Sequence, residues 1–159
     1  MEMDIVKAAK KEIPDIVSLN AHVQRIHHDS HPEIFKPVSD DQSIHGFFDY
    51  LINQESNIFL VAYIDSLPVG YAWYAIEEKP DFPMKYSRKQ IYIHQIAVHE
   101  NYRRQKVGKS LFSEIEKQAK EQEINHFELD SWSFNTDAHK FFNKLGFETY
   151  NIHMWRRSE

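Results

Sequence analysis

The stretch "IYIHQIAVHENYRRQKVGKSLF", residues 91–112, decides the fold. Its first half is a strand by composition: isoleucine, tyrosine and valine dominate, with no proline or glycine. Alternation puts Tyr92, His94, Ile96 and Val98 on one face and Ile91, Ile93, Gln95 and Ala97 on the other. Its second half opens a helix running from about 107 to 122, because Val107, Leu111, Ile115 and Ala119 recur four apart. Between strand and helix, four cationic side chains (Arg103, Arg104, Lys106 and Lys109) surround Gly108. The whole chain has net charge −5 and only four glycines, so this concentration calls for a reason.

Two readings compete. The segment could be the solvated basic start of a surface helix. Cations at a helix N-terminus oppose the macrodipole, however, so that placement carries a cost. Alternatively it cradles phosphate. The first N–H groups of a helix have no intrahelical partners and sit at the positive end of the dipole, where they bind phosphate oxygens. Gly108 would let the backbone approach closely, and the arginines and lysines would add charge for a diphosphate.

Working outward, "DIVKAAK" (4–10) reads as a strand. Residues 12–26 read as a helix with Ile13, Ile16, Val17, Leu19, Val23 and Ile26 on the buried face and Pro14 in the first turn. Ser39-Asp40-Asp41-Gln42 fits a capping box ahead of a helix carrying Ile44, Phe47, Phe48, Leu51 and Ile52. "NIFLVAYID" (57–65) and "PVGYAWYAI" (68–76) flank a "DSLP" turn and predict a hairpin buried on both faces. Downstream, "HFELD" (126–130) predicts a strand, and 136–145 a helix burying Ala138, Phe141, Phe142 and Leu145 that stops at Lys144 and Gly146. "FETYNIHMWRR" (147–157) predicts a closing strand. The order β-α-α-β-β-β-α-β-α-β specifies an α/β fold with helices on both faces of one sheet.

Composition bounds the function. A length of 159 residues with 42% hydrophobic and 14% aromatic content predicts one domain, 1–159, with its own core. No apolar run approaches the ~18 residues of a membrane span, and "MEMDIVKAAKK" lacks the pattern of a signal peptide, so a cytoplasmic protein without membrane partners is expected. The absence of cysteine excludes disulfides, thiolate metal sites and a cysteine nucleophile. The acidic balance argues against nucleic-acid partners and points the basic patch at a small anionic ligand.

The 91–112 segment also resembles the acetyl-CoA-binding segment of the GNAT superfamily of acyl-CoA-dependent N-acyltransferases. That pattern is Arg/Gln-x-x-Gly-x-Gly/Ala after a strand ending in an apolar-Val pair. Arg103 and Gly108 match its first and last positions, and Lys106 stands where its first glycine is expected. "NTDAHKFFNKLGFE" (135–148) is similar to a second family segment, Asn-x-x-Ala-x-x-Phe-Tyr-x-x-x-Gly-Phe. The resemblance spans essentially the whole chain. It implies a mixed, mostly antiparallel sheet with two splayed strands, acetyl-CoA as acyl donor, and a small-molecule or peptide amine as acceptor. It further implies that Ile96, Ala97 and Val98 pair with the pantetheine arm through their backbone. On the same resemblance, Arg103, Arg104, Gln105, Lys106, Val107, Gly108, Lys109 and Ser110 would hold the pyrophosphate, and Asn135 would touch the cofactor arm. Asn135 also reads as an ordinary helix N-cap.

The matching family tyrosine, often the acid for the leaving thiolate, is Phe142 here and has no proton to give. Tyr74 and Tyr150 are alternatives without an assigned place. His94, where the family often has a carboxylate, is the candidate base, since a side chain with a pKa of about 6.5 suits that work near neutrality. Its competing reading is a histidine held by core hydrogen bonds. Glu77 and Glu78 are reserves acting through water. His22, His27, His28, Asp29 and His31 form a further cluster, read as a loop over the acceptor, a solvated turn or a metal site. The aromatic segment 80–90 reads as a loop bordering the acceptor, and Trp73 and Trp132 read as core. An N-acetyltransferase acting by direct attack in a ternary complex, with no metal, is therefore expected. The competing readings are a catalytically silent acyl-CoA-binding regulatory module and a metal-dependent hydrolase. Homodimerisation stays open.

Overall fold

The computed structural model describes residues 2–39 and 42–159. It contains β1 (Met3–Lys7), α1 (Ile13–Ser30), α2 (Gln42–Ile52), β2 (Asn57–Ile64), β3 (Leu67–Lys79), β4 (Arg88–Val98), α3 (Val107–Glu121), β5 (Phe127–Leu129) and α4 (Thr136–Lys144). The strands lie in sequence order, β1-β2-β3-β4-β5. The first four pair antiparallel, and β5 joins β4 in parallel. Consecutive antiparallel strands need only short turns. The β2–β3 turn is Asp65-Ser66, both at positive φ (50° and 64°), the two-residue geometry whose twist matches a hairpin. The parallel β4–β5 pair needs a crossover, supplied by α3.

Both faces of the sheet are covered. On one, Ile13, Ile16 and Leu19 of α1 and Phe48 of α2 pack on Phe59, Val61, Tyr71 and Ala97. On the other, Val107, Leu111, Phe112, Ile115 and Ala119 of α3 pack on Leu60, Ala62, Ala72, Tyr74, Ile91 and Ile93. This accounts for the continuous apolar runs of β2 and β3, which have a helix on either side.

The structure departs from the sequence expectations in three places. First, α1 continues to Ser30, beyond the expected end at 26, because nothing halts it before Pro32. The residue ahead of a proline disfavours helical geometry; His31 leaves it (φ −139°), with its N–H still bonded to the His27 carbonyl (2.9 Å). Second, the expected closing strand 147–157 does not form, so the order ends at α4 rather than β. Its alternating pattern is intact, but Tyr150, Ile152 and Met154 are 73–84% exposed. The neighbouring β5 is only three residues long and offers few ladder bonds to recruit it. Third, β4 does not alternate evenly. Trp73 pairs with Gln95 but Tyr74 with Ile93, so His94 is an extra, bulged residue. The proposed capping box at 39–42 includes Asp40 and Asp41, which lie outside the described residues.

Two glycines give a prediction of opposite sign. A Cβ on Gly70 would lie 2.9 Å from both the Ala97 carbonyl oxygen and Val107 Cγ1, where β3, β4 and α3 meet. One on Gly46, in α2, would meet nothing within 4 Å. Gly70→Ala should lower the unfolding free energy by about 1–3 kcal/mol. Gly46→Ala should raise it by about 0.5–1 kcal/mol. Urea titrations of both variants check this.

Candidate active site

The bulge at His94 organises the site. In an even strand, His94 and Gln95 would face opposite ways. With one residue extra, both reach the α1 face: His94 stacks on Trp73 (ring centroids 4.3 Å apart, 17° between planes), and Gln95 accepts hydrogen bonds from Tyr71 and from Asn20 Nδ2 (3.3 Å). Beyond the bulge the expected faces exchange. Ala97 joins the α1 side, whereas Ile96 and Val98 pack with the α3 side. The pairing of β4 with β5 ends at Ile93↔Leu129. From His94 to Val98 one edge of β4 therefore has no strand beside it, and the two parallel strands part as a fork. The backbone of Ile96, Ala97 and Val98 borders that fork.

The basic loop stands at the fork's open end. Arg104 (φ 63°) and Lys106 (φ 66°) are both left-handed, a conformation that costs a non-glycine residue about 1–2 kcal/mol. Lys106 thus adopts the backbone that a glycine would take at the same place, and its φ/ψ of 66°/9° makes it the N-cap of α3. Successive turns of this kind point backbone N–H groups into a common concavity. The first bond of α3 is from Ser110 N–H to the Lys106 carbonyl (2.9 Å), so Val107, Gly108 and Lys109 keep N–H groups without intrahelical partners. Ser110 does not. Gly108 serves the cradle indirectly: its Cβ would meet Phe141 Cζ at 3.0 Å and Val98 Cγ2 at 3.6 Å. A side chain here would push α3 away from α4 and β4, rather than project into the concavity as expected from sequence. Arg103 reaches back to donate to His22 Nε2 on α1, and Arg104, Gln105, Lys106 and Lys109 are exposed.

Two further site residues have structural partners. Asn135 caps α4, its Oδ1 accepting from Ala138 N–H (3.3 Å), which leaves its Nδ2 uncommitted by the cap. Phe142 packs edge-on against Phe141 and Phe147, with ring centroids 5.1 and 5.6 Å away.

The chain matches the model of the acetyltransferase (GNAT) family over residues 21–147, the greater part of its length. It belongs to that family. Solved structures agree in fold. The tetramutant of the BH1408 protein from Bacillus halodurans has a TM-score of 0.88 at 23% identity, covering 98% of this chain and 99% of that one. The aminoglycoside N-acetyltransferase AAC(6')-Iy in complex with CoA has a TM-score of 0.77 at 18% identity, covering 99% and 95%. AAC(6')-Ih from Acinetobacter baumannii has a TM-score of 0.74 at 19% identity, covering 99% of each chain. A comparison with curated proteins finds no match.

In this member of the family, the candidate proton-handling groups separate cleanly. Tyr74 is fully buried on the α3 side with its hydroxyl on Gln118, away from the fork. Tyr150 donates to Glu128, toward the other end of β4. Burial would raise the Glu128 carboxyl, but hydrogen bonds from Tyr150, His126 and Gln90, with the charge of Arg88, bring it down to about 2. Glu77 accepts from Gln90 (2.9 Å) and pairs with Lys79 (3.1 Å). Burial lowers the His94 imidazole below its usual value, against an opposing pull from Glu77. The ring face is covered by Trp73 while its edge stays open, so a neutral, accessible imidazole is available at neutral pH.

Sequence reasoning missed two residues beside it. Tyr92 lies edge-on to His94 (4.8 Å) and donates its hydroxyl to Asp130, the first residue past β5. The bulge itself had a signal: the isoleucines of β4 are spaced 91, 93, then 96, with two polar residues in the gap.

The histidine cluster is committed elsewhere. His27 Nδ1 contacts the Val23 carbonyl (2.7 Å), His28 Nδ1 the Phe35 carbonyl (2.8 Å), and His31 Nδ1 pairs with Glu33 (3.1 Å). Among the described residues no three His, Asp or Glu side chains converge as metal ligands. The rings of His27 and His31 instead pack against Phe134 (both 5.4 Å), joining the end of α1 to the β5–α4 loop. Trp132, expected in the core, is 43% exposed and lies edge-on to Phe35 (4.9 Å). Loop 80–87 lies at the Arg88 end of β4, opposite the open end of the fork. No helix among the described residues is long and apolar enough to cross a membrane.

The His22–Arg103 contact predicts a pH dependence of stability. Burial first, then the Arg103 charge, holds His22 below its usual 6.5. The unfolded chain therefore takes up this proton first as the pH falls. The contribution of His22 is fully present above about 6.5 and is lost as the pH drops through the folded-state value. His22→Gln should reduce the loss of urea midpoint between about pH 7.5 and about pH 5 relative to the wild type. An unchanged difference between the two conditions contradicts the assignment.

Proposed function

We propose that residues 1–159 work as one acetyltransferase domain that moves the acetyl group of acetyl-CoA to a primary amine, by direct attack in a ternary complex. The observation that carries this reading is the left-handed, lysine- and arginine-bearing loop at the start of α3, beside the unpaired edge of β4. Free N–H groups of Val107, Gly108 and Lys109 and the charges of Arg104 and Lys106 suit a diphosphate. The open edge at Ile96, Ala97 and Val98 suits an amide-bearing arm, which needs alternating donors and acceptors. Asn135, through its uncommitted amide nitrogen, would contact the same arm. The aminoglycoside-acetylating neighbours favour a small-molecule amine as acceptor.

Acetyl-CoA supplies the activated acetyl group. An ammonium must lose a proton before its nitrogen can attack, and neutral His94 at the base of the fork accepts it. A backbone N–H of β4 stabilises the developing oxyanion. Phe142 contributes an apolar wall and no proton. A thiolate with a pKa near that of cysteine, about 8.5, can leave without a strong acid. Phe142 is also the one feature that favours the silent-module reading, and turnover separates the two.

Two predictions follow from this site. The chain should bind acetyl-CoA and release CoA only when an amine is supplied. His94→Ala should then cost about 10²-fold in kcat with acetyl-CoA affinity little changed. The wild-type kcat/KM should fall at pH values below the His94 titration, apart from the amine's own ionisation. A folded His94→Ala variant with full turnover across the pH range removes His94 from the mechanism. Gly108→Asp, whose side chain would press on Phe141 and push the start of α3, and the cradle with it, out of place, should weaken acetyl-CoA binding by well over ~1.4 kcal/mol, a factor of ten. Calorimetry reads both affinities, and a wild type that binds no acetyl-CoA at millimolar concentration ends the reading.

A further inference from the structure

Of three carboxylates on the strands flanking β4 or just past them, two are already paired with cations and lie toward the Arg88 end of β4, away from the fork. Glu77 has Lys79 at 3.1 Å. Glu128 has Arg88 at 2.7 Å and His126 at 3.2 Å. Asp130 has no cationic partner among the described residues; it accepts only the Tyr92 hydroxyl. Its position is also distinctive. Ile93 and Leu129 are the last paired residues of β4 and β5, so His94 and Asp130 follow directly on the two sides of the parting strands. Tyr92 connects them, its ring against His94 (4.8 Å) and its hydroxyl on Asp130. Burial first, and then the Asp130 bond, raise the Tyr92 pKa, so the hydroxyl stays protonated and remains a donor. Asp130 is itself exposed, and so accessible to a ligand.

We infer that Asp130, oriented by Tyr92, is the anchor for the ammonium of the acceptor and restricts the site to cationic amines. This rests on the acetyltransferase reading above, which makes the fork the place where acceptor and acyl donor meet. An unpaired carboxylate beside a neutral imidazole does two separate jobs. It draws in the charged form of an amine, the form that predominates near neutrality, and it holds the nitrogen next to the group that removes its proton. A neutral or anionic acceptor gains nothing from Asp130.

The test separates charge from structure. Asp130→Asn keeps an oxygen for Tyr92 to donate to and removes only the charge; Asp130→Glu keeps the charge on a longer arm. Binding of spermidine and of kanamycin, as cationic probes, is measured by calorimetry on the full chain with CoA present. CoA binding and thermal melting are measured for the same proteins. Wild type should bind at least one probe, Asp130→Asn should weaken it by roughly tenfold or more, the scale of a charge-assisted hydrogen bond, and Asp130→Glu should recover part of the loss. In turnover the loss should appear in the KM for the amine, with the KM for acetyl-CoA unchanged. Equal binding by wild type and a folded Asp130→Asn variant overturns the proposal, as does a wild type that binds CoA but neither probe. A wild type that binds the probes but not CoA overturns the acetyltransferase reading and leaves Asp130 as a cation site in its own right.

Discussion

One extra residue in β4 sets the geometry on which everything else depends. Without the bulge, His94 and Gln95 would lie on opposite faces and the strand would alternate evenly to its end. With it, two polar side chains sit together on the α1 side, braced by Trp73 on one hand and by the buried Tyr71–Asn20 pair on the other. The strand also turns its apolar side chains: Ile96 and Val98 pass to the α3 face and help fill the core there. Bulges raise local twist, and here the twist coincides with the point at which β5 stops following β4. The opening between the strands is thus a product of backbone irregularity rather than of any large side chain.

The loop that follows shows how positive charge and backbone strain are combined at one place. Arg104 and Lys106 hold a conformation that glycine would adopt at less cost. A glycine at 106 would relieve strain but carry no charge. A residue held in strain persists only where its surroundings over-determine it. Here the buried Val107, and Gly108 pressed on Phe141, fix the start of α3 directly behind the loop.

Much of this was legible in the sequence. The helix–strand order, the hairpin and the placement of the basic loop before α3 followed from periodicity and turn chemistry, because those signals are local. The family resemblance rested on two separated motifs, and the match over residues 21–147 agrees with it. What escaped had non-local causes. Tyr92 and Asp130 are 38 positions apart, and nothing along the chain announces that they meet. The direction of the missing Gly108 side chain depended on where Phe141 would lie. Residues 147–157 alternate like a strand, yet a strand needs a neighbour, and β5 is too short to be one. The irregular spacing of Ile93 and Ile96 was visible, and an even period of two concealed its meaning.

The three tryptophans have a consequence of their own. Trp73 stacks on His94, Trp132 leans on Phe35, and Trp155 sits 6.0 Å from His31 with the Arg157 guanidinium 5.1 Å from its ring. All the indoles of the chain therefore belong to the half of the molecule where the sheet meets α1 and the segment after it, and none lies in the α3 core. Intrinsic fluorescence becomes a one-sided optical probe. Its emission reports on the surroundings of His94 and the end of α1, and is silent about the packing behind the sheet.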